Sequence, residues 1–159
     1  MSGIGITIEV RDLAAASALI SRFINIDETA LLTTVGAIGE MQTRRRIEEE
    51  KTSPDGAAWA PNREGTSILL RTGEHLRDTI AHEVGSSEVR WGSSWQYAHV
   101  HQDGAVITAK GKRLSFLVGG KRRFAQKVTI PARPFVGLSG ANGREIEEVV
   151  TDWLGRLAR

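Results

Sequence analysis

The stretch that decides the fold is IPARPFVGLSGANGREIEEVVTDWLGRL, which occupies residues 130–157. Its two prolines, Pro131 and Pro134, disfavour helical geometry in the residues before them, so the first part must be extended. Asn142 is predicted to cap a helix, and Glu145 completes a capping box three residues later. Apolar side chains then recur at helical spacing, at Ile146, Val149, Val150, Trp153, Leu154 and Leu157. The stretch therefore predicts a stiff extended segment followed by an amphipathic C-terminal helix.

A second, longer helix is predicted nearer the N-terminus. Asn25 and Glu28 have capping-box spacing, and the helical pattern continues to about Lys51. The end of this helix carries three arginines, 44–46, followed by three glutamates, 48–50. Each arginine precedes a glutamate by four residues, so the pattern predicts ion pairs on a solvated helix face rather than a nucleic-acid site. One face of the helix is marked by Leu31, Val35, Ile38, Gln42 and Arg45.

Short strands are predicted between the two helices and ahead of them. Alternating isoleucines over 4–10 predict a half-buried strand, and Asp12 is a candidate cap for a helix after it. Residues 79–84 and 88–91 predict a hairpin that turns at 85–87. A further strand pair is predicted from 106–108 and 114–118, with its turn at 110–112.

These elements predict an α+β fold, in which a small antiparallel β-sheet packs against the long N-terminal helix and the C-terminal amphipathic helix. A length of 159 residues fits one domain over 1–159 with a core of its own. The chain has no cysteine, which excludes disulfides, thiol nucleophiles and cysteine-based zinc sites. We see no signal peptide and no apolar run long enough to cross a bilayer.

Charge is strongly segregated along the chain. The net charge of +2 comes from 21 basic and 19 acidic side chains. Between Asp103 and Glu145 there are nine basic residues and no acidic one, which leaves 12 basic against 19 acidic residues elsewhere. We expect an extended basic loop or arm over about 104–130 that meets a partner of opposite charge. The basic candidates for this contact are Lys110, Lys112, Arg113, Lys121, Arg122, Arg123, Lys127 and Arg133.

Two of the candidate residues have a structural alternative. Trp59 lies in a predicted loop, where an indole is either a plug for the core or an anchor on a partner. The core role is favoured for Trp59. Arg133 lies between the two prolines, and packing with a carboxylate partner is favoured over direct contact with another protein.

No catalytic constellation emerges from the sequence. His99, His101 and Asp103 would share one face of a strand, as metal ligands do, but structural histidines are far more common. Residues 137–141 approach a nucleophile elbow around Ser139, but the fifth position is Ala141 rather than glycine. Every histidine also precedes Ser139, which that fold does not allow. No phosphate-binding loop or dinucleotide motif has the required spacing. We therefore expect no enzyme activity, no cofactor and no metal.

Four groups of short motifs follow one another in order along the chain. They are Ser53-Pro54-Asp55-Gly56 with Trp59-Ala60-Pro61; Leu69-Leu70-x-Thr72-Gly73-x-x-Leu76; Trp91-Gly92-Ser93 with Tyr97-Ala98-x-x-His101-Gln102-x-Gly104; and the extended segment 130–138. Taken together, these motifs resemble the phage virion morphogenesis (tail completion) family of Mu-like tailed phages. The resemblance runs from about Val35 to the C-terminus.

The resemblance implies a structural virion protein that acts in tail completion and head–tail joining, as a ring subunit at the neck. It implies a homo-oligomer, with a hexamer favoured, that contacts connector and tail-tube proteins. It also implies assembly in the host cytoplasm, no membrane contact and no enzyme activity. The function of 110–127 does not carry over from the family. For residues 110–127, the candidate partner is either a neighbouring subunit or DNA in the lumen of the ring.

Two alternatives stay open at the level of sequence. The first is a nucleic-acid-binding module that grips phosphates with the basic segment 110–127, although only Phe116 and Phe124 could stack on bases there. The second is a small metal-dependent hydrolase built on His99, His101 and Asp103.

Overall fold

The computed structural model describes residues 17–18, 20–22, 26–70 and 75–157. The strand predicted over 4–10 and the cap predicted at Asn25 lie outside these residues. Residues 17–18 and 20–22 are helical, in agreement with the helix predicted after Asp12.

Helix α1 spans Glu28–Arg45 and continues as a single π-helical turn over Arg46–Glu50. Its cap is Asp27, whose carboxylate accepts a hydrogen bond from the Ala30 amide at 2.9 Å. The turn ends at Lys51, which adopts a left-handed conformation with φ 54°. The long helix predicted to about Lys51 is therefore confirmed.

Two antiparallel strands, β1 (Ile80–Val84) and β2 (Val89–Ser93), form the predicted hairpin. A 3₁₀ turn over Arg77–Thr79 leads into β1. Helix α1 lies directly on this hairpin because it presents two glycines to it. A Cβ atom at Gly36 would lie 2.5 Å from the His82 ring, and one at Gly39 would lie 2.5 Å from the Trp91 indole. The absence of side chains at Gly36 and Gly39 therefore determines how closely α1 can approach the β1–β2 hairpin.

The second predicted strand pair is wrong in its pairing. After a short helix, α2 (Ala98–Asp103), strand β3 (Ala105–Thr108) pairs with β6 (Lys127–Ile130). Strand β4 (Leu114–Val118) pairs with β5 (Lys121–Ala125), a segment predicted only as part of the extended basic loop or arm. Gly119 and Gly120 form the turn with φ values of 55° and 74°, which suits the backbone of a tight hairpin. The described strands thus form three two-stranded antiparallel ladders.

Helix α3 spans Gly140–Leu157 and confirms the predicted C-terminal helix. Its cap differs from the prediction. The Ser139 hydroxyl accepts from the Asn142 amide at 3.1 Å, and the Asn142 side-chain oxygen accepts from the Ser139 amide at 3.3 Å. Ser139 is therefore the capping residue, and Asn142 takes the third helical position that was predicted for Glu145.

The core lies where α1, the β1–β2 hairpin and the extended segment before α3 meet. Its buried apolar side chains are Ile47, Trp59, Leu76, Ile80, Ala98 and Phe135. The α+β fold class is confirmed, with helices at both ends of the described chain and short antiparallel ladders between them.

Candidate interaction surface

Seven of the nine candidate residues lie on one long β-hairpin, which we call the basic arm (residues 105–130). The β3–β6 ladder forms its base and the β4–β5 ladder its tip. A backbone hydrogen bond of 2.8 Å from Ala109 to Gln126 joins the two ladders. The seven side chains are all exposed: Lys110, Lys112, Arg113, Lys121, Arg122, Arg123 and Lys127.

One face of the tip ladder combines apolar side chains with positive charge. Directly opposed residues of an antiparallel pair point to the same side, so the pairs Ser115–Phe124 and Leu117–Arg122 share one face. Leu117 is 65% exposed and Phe124 is 57% exposed. Large apolar side chains this exposed, next to an arginine, are typical of surfaces that bind another protein.

The arm is anchored at its base by a close backbone contact. Gly104 has φ 75°, and a Cβ atom there would lie 2.7 Å from the Ala132 nitrogen. At the tip, the Gly119 amide donates to the Glu64 carboxylate at 2.9 Å. The arm is therefore a folded hairpin held at both ends.

The remaining two candidates are buried. Trp59 is 5% exposed, and its indole N–H donates to the Pro134 carbonyl at 3.2 Å. Arg133 is 6% exposed and donates to the carbonyls of Ala60 at 3.0 Å and Pro61 at 3.3 Å. The prediction that Arg133 pairs with a carboxylate is wrong, because its guanidinium donates to carbonyl oxygens instead. The hydrogen bonds of both side chains connect the loop after α1 to the extended segment before α3.

The sequence prediction missed Arg46, which is 1% exposed rather than solvated. Its guanidinium donates to the carbonyls of Phe135 at 3.1 Å and Gly137 at 2.7 Å. It also donates to the Asn142 side-chain oxygen. Burial lowers the pKa of Arg46 from its ordinary value. A single buried cation thus fixes the end of α1 to the entry of α3.

A second link between α1 and α3 lies beside the first. The Gln42 amide donates to the Glu145 carboxylate at 2.8 Å, and Arg45 donates to the same oxygen at 3.2 Å. The hydrogen bond from Gln42, followed by the one from Arg45, lowers the pKa of Glu145. Glu145 therefore links helices α1 and α3 through hydrogen bonds and does not cap α3.

Helix α3 also carries an acidic surface, which we call the α3 carboxylate face. Its members Glu147, Glu148 and Asp152 are exposed and lie on one side of the helix together with Arg144 and Thr151. Within the described part of the chain, none of the three carboxylates forms an ion pair. The sequence pattern indicated only an amphipathic helix here and did not single out this face.

The metal hypothesis loses its geometric basis. Residues His99, His101 and Asp103 lie on helix α2 and not on a strand, so their spacing of two does not align them. His101 stacks on the Trp95 ring with a centroid distance of 5.6 Å. Burial, and then the charge of Arg133, lowers the pKa of His101. Its environment is that of a packed aromatic ring.

Residues 11–155 match the phage virion morphogenesis family. The chain is also 30% identical over 126 residues to tail completion protein S of Escherichia phage P2. That alignment covers 71% of this chain and 75% of the relative. No solved structure matches. In the described part of the chain, no helix has both the length and the apolar character that a membrane crossing requires.

Proposed function

Because the chain belongs to the phage virion morphogenesis family, we propose that its structural role in tail completion is to join heads to tails as a ring subunit at the neck. The similarity to the P2 tail completion protein supports the tail-completion role. We favour a hexameric ring that assembles in the host cytoplasm and contacts connector and tail-tube proteins. This role requires no catalytic step.

The observation that carries the ring is the basic arm together with the α3 carboxylate face. The arm holds seven exposed cations and the face holds three exposed carboxylates, on different elements of the same chain. A surface that binds a different surface of the next copy forms a heterologous interface, and such interfaces close into rings when the rotation between subunits allows it.

Electron microscopy of the purified protein tests the ring directly. We expect two-dimensional class averages with a central hole, and native mass spectrometry that shows multiples of the 17.3 kDa subunit. Phage that lack the protein should accumulate unjoined heads and tails, and joining should be restored when purified protein is added. A strict monomer that restores joining would contradict the ring but keep the tail-completion role.

DNA contact in the lumen is the second candidate function, and the uninterrupted positive charge of 110–127 favours it. Neutralising phosphates with several Lys and Arg side chains makes binding steeply dependent on salt. If the arm binds DNA, affinity for duplex DNA should fall by more than about tenfold between roughly 50 and 200 mM salt. The variant Arg123→Glu should then weaken DNA binding without changing the particle mass.

A further inference from the structure

The tip of the basic arm has an apolar face that the described residues of its own chain do not cover. Leu117 and Phe124 are diagonal neighbours on that face, with Arg122 beside them. At about 3.4 Å per residue, the five-residue strands of this tip are roughly 17 Å long. The surface is large enough to contact two turns of a helix.

The charges on the arm and on α3 are complementary and unsatisfied within one copy. No cation of the arm and no carboxylate of the α3 carboxylate face has an ion-pair partner among the described residues. The tip bonds instead to Glu64, in the loop after α1. A second copy can supply what the first lacks, because every copy has both surfaces.

We propose that the β4–β5 tip of one copy docks on the α3 carboxylate face of a second copy. Arg122 then faces Glu148 and its neighbours, while Leu117 and Phe124 cover the helix surface around Thr151. The proposal rests on the proposed function, since it names the contact through which the ring would form. In a ring, each copy docks its tip on one neighbour and receives the tip of the other on its α3 carboxylate face, which is a heterologous contact.

Charge reversal on either surface should weaken self-association. We expect Arg122→Glu and Glu148→Lys each to lower the association constant about tenfold, because each places like charges opposite one another. The matched controls are Arg63→Glu and Glu49→Lys, which reverse exposed charges outside both surfaces that form no ion pair among the described residues. These controls should associate as the wild type does, and all four variants should keep the wild-type melting temperature.

Mixing the two reversed variants is the sharper experiment. Each variant alone presents like charges at every contact, whereas an alternating mixture restores opposite charges at every contact. Sedimentation should therefore show poor assembly of Arg122→Glu and Glu148→Lys separately and recovery when they are mixed one to one. Assembly of each variant at wild-type strength would overturn the docking contact and leave the ring itself intact.

The absence of native cysteine allows the contact to be trapped covalently. Ser115→Cys lies on the Phe124 face of the tip, and Thr151→Cys lies in the middle of the α3 carboxylate face. Under mild oxidation the two variants should form a mixed disulfide dimer. Ser115→Cys mixed with Ser87→Cys, which lies in the β1–β2 turn, should not.

The failures of the two proposals are distinguishable. A wild-type ring, with no cross-link between the Ser115→Cys and Thr151→Cys variants and no effect of charge reversal, overturns this contact alone. A wild-type protein that stays monomeric at every concentration overturns both. Loss of DNA binding in Arg122→Glu with unchanged association assigns the arm to DNA and overturns the docking contact.

Discussion

A fully buried arginine needs acceptors for its donors, and Arg46 finds them for its two terminal nitrogens in and beside the extended segment before α3. Its Nε forms no hydrogen bond and lies 3.7 Å from the Glu50 carboxylate. Carbonyl oxygens of an extended segment point outward when no strand pairs with it, so 135–137 leaves acceptors free. The forked guanidinium reaches two of them and the Asn142 side chain at once. Arg46 therefore supplies part of the hydrogen bonding that a neighbouring strand would provide, and Gln102 supplies more by bonding to Phe135 and Val136.

Removing Arg46 should be among the most damaging single changes. We expect Arg46→Met to lower the free energy of unfolding by ~3 kcal/mol, because it leaves buried carbonyls without donors. Arg45→Met is the control, since its partly exposed side chain bonds only to carboxylates, and we expect it to cost less than ~1 kcal/mol. Urea denaturation of both variants measures the difference. Equal costs would show that Arg46 is not the anchor.

His101 makes stability depend on pH. Its pKa in the folded protein lies below the ordinary value of about 6.5, so the unfolded chain takes up this proton at a higher pH. The stability contribution is complete above that value and is lost as the pH falls below it, towards the folded-state pKa. Between about pH 7 and pH 5, the wild type should lose more stability than His101→Phe, which keeps the stacking on Trp95.

The control for this measurement is His99→Phe, at an exposed position of the same helix. It should lose stability with falling pH as the wild type does. If His101→Phe and the wild type have parallel pH profiles of unfolding free energy, the assignment to His101 is wrong.

At the scale of elements, the contact between α1 and the β1–β2 hairpin depends on glycine. Gly39→Ala would place a methyl group against the Trp91 indole, and overpacking costs ~1–3 kcal/mol. Alanine is favoured over glycine within a helix by about 1 kcal/mol, which offsets part of this cost. We expect a net loss of up to ~2 kcal/mol in the free energy of unfolding, measured with denaturant.

Gly155→Ala provides the matched comparison, since both positions are helical glycines. A Cβ atom at Gly155 meets no described atom within 4 Å. Only the helix preference then acts, and we expect a gain of up to ~1 kcal/mol. A gain at both positions would mean that α1 can move away from the hairpin without cost.

Elements with a strong local pattern were predictable from sequence. The periodicity of α3 and the hairpin signal before β2 depend on neighbouring residues only. The partner of β3 was not predictable, because alternation shows that a segment is a strand but does not identify its neighbour. Strand β5 was missed since four of its five side chains are exposed, which removes the apolar alternation.

Only the part of the candidate site that depends on neighbouring residues could be predicted from the sequence. Runs of like charge are visible in sequence, so the cations of the arm were identified. The role of Arg46 was hidden because its partners lie 89 to 96 residues away. Locally, Arg46 is one of three arginines beside three glutamates, and that pattern is typical of a solvated face.

At the scale of the whole molecule, the tip of the arm is separable from the fold. The Ala109 and Gln126 backbones are already hydrogen-bonded, so a two-residue Asn-Gly turn can replace residues 110–125. We expect the shortened chain to keep its melting temperature within a few degrees, because the tip contributes no residue to the core. It should be monomeric in sedimentation. A shortened chain that still forms rings would show that the tip is not the contact.

The large sequence separation between Arg46 and its hydrogen-bond partners also affects folding during biosynthesis. During translation, the α1 segment leaves the ribosome long before its acceptors at Phe135, Gly137 and Asn142 are made. A nascent chain that stops short of residue 135 lacks the main-chain acceptors of this buried guanidinium, so we expect it to stay open and sensitive to proteases. We expect folding to be completed only after the extended segment and the last helix have been made.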